Sequence, residues 1–180
     1  MVPNKKIKES LLLMIERDQK MRKLFMKKRS NWNANVDMKN TEKLKKIINK
    51  YGWPGKSLVG EKAADAAWLI AQHADHDVKF QEKCLCLIKK AVKIGEASKK
   101  NLAYLIDRML VKNRKKQIYG TQFRYESEQN LLKPYLIRDK KNLARRRKNA
   151  GLESFTVNMK RLRLNVGLNK KNKRKNIKEV

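Results

Sequence analysis

Residues 61–75 read EKAADAAWLIAQHAD, and the reading of this run decides the fold class. Ala63, Ala64, Ala66, Ala67 and Ala71 surround Ile70, which predicts a small-residue helix able to pack closely against its neighbours. The end of the run is polar: Gln72-His73-Ala74-Asp75-His76-Asp77 holds both histidines of the chain. If the helix continues to position 77, Ala66, Ile70, His73 and Asp77 share one face. A polar group set where a core belongs must find a partner or do a job, because leaving it unpaired costs about 1–3 kcal/mol.

Helical periodicity extends on both sides. Residues 5–29 predict a helix with Ile7, Leu11, Met14, Met21 and Phe25 on one stripe, and Asp18 interrupts that stripe. The Asn- and Asp-containing stretch 31–40 predicts a loop, with Asn40 or Thr41 capping a second helix that carries Leu44, Ile47, Ile48 and Tyr51. Gly52-Trp53-Pro54-Gly55 must break that helix. A further helix from Val78 to Ile94 presents Phe80, Cys84, Leu87 and Ala91 and stops at Gly95. Ser98 is placed to cap a helix over 99–112 that is apolar almost all round, the mark of a buried segment, with Asp107 and Arg108 in its middle.

Beyond it the pattern changes. Ile118, Tyr119, Phe123 and Tyr125 are strand formers, so a short hairpin is expected near 117–137. Asp139 is expected to cap a helix ending at Gly151, and a last helix to run from Glu153 to Leu164. The expected fold is therefore mainly α: a single helical-bundle-like domain over 1–164, followed by a flexible Lys/Asn-rich tail over 165–180. Trp32, Trp53 and Trp68 read as core or hinge anchors.

The formal charge is +30, from 47 basic against 17 acidic side chains. Such a surface attracts polyanions, which makes non-specific nucleic-acid binding through the surface and tail one reading. Of the 47 basic residues 34 are Lys, and there are 16 Asn, a pairing that compositional drift alone can produce. Arg would serve a phosphate grip better. Cys84 and Cys86 lie two apart on a helix and point away from each other, so no disulfide or zinc site is expected. The apolar run Leu11 to Ile15 is too short for a signal peptide or a membrane span, so no membrane contact and a cytoplasmic location are expected. No Walker loop, Rossmann glycine pattern or nucleophile elbow is present.

Several polar residues fall on surfaces that otherwise read as buried: Asp18, His73, Asp77, Asp107 and Arg108, with Gln117, Tyr119, Thr121 and Gln122 after them. In order along the chain stand Asp18-Gln19, Gly52-Trp53-Pro54, Val59-Gly60, the run from Gln72 to Asp77, and Gln81. Asp107-Arg108, Gln117, Tyr119-Gly120-Thr121-Gln122, Arg145-Arg146 and Gly151-Leu152 follow. That ordered set resembles a family of uncharacterised bacterial proteins grouped as domain of unknown function 6624, over roughly residues 9–160. The resemblance implies a grouping and no activity, cofactor or partner.

The leading functional reading is a pocket that binds a small polar ligand and carries acid/base or hydrolytic chemistry. His73 would be the acid/base, since an imidazole ordinarily titrates near neutrality, with Asp77 or Asp107 as its orienter. Arg108 and Gln122 would clamp the ligand, and Asp18 and Tyr119 would line the site. No cofactor is expected. A metal on His73, Asp75, His76 and Asp77 carries little weight, because only residues three or four apart face one way. In the architectural alternative, His73 bonds a neighbouring helix, Arg108 holds a buried carboxylate, and the chain is a helical interaction domain without a ligand.

Overall fold

A computed structural model describes residues 3–28, 32–127, 129 and 131–165. The protein is mainly α, and the chain divides into two compact units, residues 1–105 and 106–180.

In the first unit, α1 (Lys5–Lys28), α2 (Ala34–Tyr51), α3 (Lys56–Val59), α4 (Glu61–His73) and α5 (Val78–Lys93) surround one core. α4 is its hub and packs against α1, α2, α3 and α5. The alanines explain why: Ala63, Ala64, Ala66, Ala67 and Ala71 are all buried, and their small side chains let four helices approach one. Leu11, Leu44, Val59, Ile70 and Cys84 fill the space between. Each fully buried aliphatic side chain there contributes about 1.5–3 kcal/mol. Burial also pushes the Cys84 thiol up to about 12, so it serves as packing. α4 ends at His73, earlier than a helix reaching Asp77 would, and α5 stops before Gly95.

The start of α2 corrects the expected loop over 31–40. The helix begins at Ala34, where the Asn33 side chain accepts the Asn35 backbone N–H, and Asp37 sits favourably in the first turn. Asn40 and Thr41, expected as caps, are buried in the helix interior, and Asn40 Nδ2 donates to the Met14 carbonyl at 3.2 Å. Asn40 is polar because it bonds α1, not because it faces water. Gly52 ends the helix as expected, at a φ of 74°. Trp32 is 41% exposed and anchors no core, whereas Trp53 and Trp68 are half-buried.

α6 (Lys99–Lys112) runs from the first unit into the second, with Ala103, Leu105, Asp107 and Met109 buried along it. The second unit carries the expected hairpin, in which β1 (Phe123–Glu126) pairs antiparallel with β2 (Leu131–Pro134), Phe123 opposite Pro134. The segment after Asp139 is a short 3-10 turn, Lys140–Asn142, followed by α7 (Leu143–Asn149) and α8 (Phe155–Asn165). Asp139 does not cap α7: it adopts a left-handed backbone, and its carboxylate takes hydrogen bonds from Asn142 and Arg146. The expected tail lies outside the described residues apart from Asn165. Among the described residues no helix is long and apolar enough to cross a membrane.

Candidate functional site

The polar residues expected from sequence divide between the units: Asp18, His73 and Asp77 in the first, Asp107, Arg108, Tyr119 and Gln122 in the second. Each unit carries a buried polar network.

In the first unit, Ile7, Leu11, Met14 and Asp18 follow one another at helical steps on the inner face of α1. That spacing puts the Asp18 carboxylate into the packed interior, 1% exposed, at the place where α4 ends. There His73 Nδ1 meets Asp18 Oδ1 at 2.9 Å. Arg22, one turn after Asp18, donates from Nε to the same carboxylate and from Nη2 to Asp37 Oδ1 at 2.7 Å. Gln19 Nε2 completes the Asp18 shell at 2.7 Å. Five side chains, from α1, α2 and α4, thus form one connected group.

The two carboxylates of that group titrate in opposite directions. Burial pushes the Asp18 carboxyl up, but hydrogen bonds and charge from His73 and Arg22 outweigh it and hold Asp18 well below the usual carboxylate range. Burial also pushes Asp37 up, and there it wins: the attraction of Arg22 is countered by the neighbouring Asp18. An ionised Asp18 can only accept hydrogen bonds, which favours the His73 tautomer that carries its proton on Nδ1. Nε2 makes no hydrogen bond among the described residues, and the His73 side chain is 12% exposed.

The end of α4 is held in place from α5. Gln81, fully buried, donates from Nε2 to the carbonyls of Ala71 and Gln72 and to Asp75 Oδ1. Asp77 is the N-cap of α5, accepting the Phe80 N–H at 2.9 Å and pairing with Lys45 at 2.8 Å. The Lys45 bond first, then the Phe80 N–H, lowers its titration. The carboxylate on His73 is therefore that of Asp18, and Asp77 is engaged elsewhere.

In the second unit, Asp107, 0% exposed, accepts the backbone N–H groups of Ile118, Tyr119 and Thr121 and the Thr121 hydroxyl, at 2.7–3.1 Å. Arg147, 1% exposed, takes the carbonyl side of the same segment, donating to Tyr119 and Gly120 and to Glu153. Gln117 closes the loop by exchanging hydrogen bonds with the Gln122 backbone, and Gln122 Nε2 donates to Thr121 Oγ1. Burial, then the charge of Asp107, pushes the Tyr119 hydroxyl up. Arg108 is half-buried on α6. Residues 117–122 lie outside both strands, and buried backbone groups without ladder partners must be satisfied by side chains.

Arg22, Asp37 and Arg147 were not singled out from sequence. Arg22 had a signal, since it lies four residues after Asp18 on the same helix. Asp37 was hidden by the loop expected at 31–40. Among the described residues, Asp18, Asp37 and His73 each offer a ligand atom within 4.8 Å of the others and form a group that could hold a metal ion. The Arg22 guanidinium already binds both carboxylates, so an ion would have to compete with it. A shallow hollow at the hairpin is lined by Tyr125, Glu126, Ser127, Gln129 and Lys133, none of them expected as site residues.

Comparison with family models matches residues 5–171 to a family of unknown function, DUF6624, and the chain belongs to that family. Neither curated proteins nor solved structures give a match.

Proposed function

We propose, for this member of a family of unknown function, that the first unit binds a small polar ligand beside His73 and moves a proton on it. The observation that carries the reading is the 2.9 Å contact of His73 Nδ1 with the buried Asp18 carboxylate, with Nε2 left unbonded among the described residues. A carboxylate on one ring nitrogen fixes the tautomer and directs the other nitrogen to a substrate. In this scheme His73 Nε2 accepts or returns the proton, and Asp18 orients the ring and balances the imidazolium that forms. Arg22 holds Asp18 in position and links it to Asp37. The two neighbouring carboxylates are pushed in opposite directions, Asp18 down and Asp37 up, which supports acid/base work at this place. Asp77 and Asp107 are left as helix cap and loop anchor, and Arg108, Tyr119 and Gln122 carry no proton step.

Two measurements test it. Imidazole nitrogen NMR should find His73 protonated on Nδ1, and a panel of phosphoester, carboxylic ester and N-glycosidic substrates should give turnover that H73Q abolishes while its unfolding midpoint holds. A proton resident on Nε2, or turnover that survives H73Q, would sink the proposal. No turnover on any substrate, together with a collapse of stability in H73Q, would favour the ligand-free interaction domain.

A further inference from the structure

The polar group of the first unit continues outward into two exposed aromatic rings. Trp32, just before α2, is 41% exposed, and Phe25, near the end of α1, is 39% exposed. Their ring centroids lie 5.3 Å apart with the planes at 87°, so they form a corner of two aromatic walls. The Arg22 guanidinium carbon sits 4.6 Å from the Trp32 centroid, joining the corner to Asp18 and Asp37. A tryptophan this exposed forgoes much of the burial its ring could gain, and a perpendicular aromatic pair beside a planar cation offers flat π surface to a flat ligand.

We infer that the Phe25–Trp32 corner is a stacking site for a nucleobase that carries phosphate. Two observations select this chemistry. The ring surface takes any flat heteroaromatic, and stacking on exposed aromatics is how bases are held without sequence preference. The charge selects an anionic ligand: the chain carries +30, and exposed Lys20 and Lys23 on α1 and exposed Lys39 on α2 flank the corner in sequence. Arg22 is balanced by its two carboxylates and holds the ring, so phosphate would be met by other basic groups, of which these exposed lysines are candidates. The base comes from a free nucleotide or from a single strand.

The test uses the full chain with two probes, adenosine monophosphate and a short single-stranded oligoadenylate, titrated by calorimetry at about 50 mM and about 200 mM salt. W32A should weaken the probe that binds by at least about fivefold, while W32F, which keeps a ring, should stay within about twofold of the parent. Binding of both probes with the same W32A loss identifies a single-base site, and binding of the oligomer alone identifies the single strand as the source. Equal affinity of W32A and the parent for both probes would assign the binding to lysine charge alone and overturn the inference. So would no binding of either probe at the lower salt. The readout is equilibrium binding at Trp32, whereas the proton-transfer reading is judged by turnover at His73, so either can fail alone.

Discussion

Asp18 and Asp107 are both carboxylates sealed from solvent, at 1% and 0% exposure, yet they are satisfied in different ways. Asp107 gives its oxygens to backbone N–H groups and one hydroxyl, none of which titrates or moves without unfolding the loop. Asp18 gives its oxygens to the side chains of His73, Arg22 and Gln19, and one of those is a proton carrier with a second nitrogen unbonded among the described residues. The difference separates architecture from candidate chemistry more sharply than burial does. A buried carboxylate spent on backbone is part of the fold, and one spent on a titratable side chain is a place to look for function.

The largest effect is expected where the backbone depends on the charge. D107A leaves the amides of Ile118, Tyr119 and Thr121 without their acceptor and should cost about 3–5 kcal/mol in denaturant unfolding. Hydrogen exchange should show those amides losing protection first. A loss below about 1 kcal/mol would mean that water replaces the carboxylate at no great cost, and the contrast with Asp18 would fail.

The same substitution made in both networks sharpens the comparison. Arg147 reaches the Glu153 carbonyl from Nε and the Tyr119 and Gly120 carbonyls from Nη1, a span that one lysine ammonium cannot cover. R147K should therefore cost about 2–3 kcal/mol. Arg22 is 22% exposed at its side chain and bonds other side chains, so R22K should cost about 1 kcal/mol or less. Thermal melts of the two variants side by side decide it, and equal losses would erase the distinction.

These two arginines also show what the amino-acid sequence carries and what it hides. The helices α1, α4 and α5 were legible because Leu11 and Met14, the alanines of α4, and Phe80 and Cys84 recur at helical steps. Asp18 stood out as a carboxylate on an apolar stripe. The first turns of α2 were not legible, since Asp37, Asn40 and Thr41 have loop composition while their partners lie on another helix. Nothing local distinguishes Arg147 within Arg145-Arg146-Arg147, yet it alone of the three is fully buried. The role of Asp107 was equally hidden, because its partners lie eleven to fourteen residues downstream in a segment with no period. Gly120 belongs to that segment. Its φ of 67° and a Cβ position 3.0 Å from the Phe155 ring make G120A cost about 1–3 kcal/mol, checked by the unfolding midpoint. An unchanged midpoint would show the loop to be looser than its hydrogen bonds imply.

The last effects lie within the first network and are read as changes with pH. The Asp18 carboxyl is lower in the folded chain than in the unfolded one. Its contribution is therefore complete above the ordinary carboxylate range and is lost as pH falls through the folded value. The deficit of D18N should be widest at neutral pH and should shrink in acid. Asp37 is raised on folding, so its ionisation works against the folded state, and stability is lost as pH rises through the folded value. D37N, freed of that loss, should gain on the parent as pH rises from acid toward neutral. Denaturant unfolding of D18N, D37N and the parent across that range should give differences that move in opposite directions. Parallel movement would mean that Arg22 acts on both carboxylates alike, leaving a plain ion-pair cluster in which Asp18 and Asp37 do not differ.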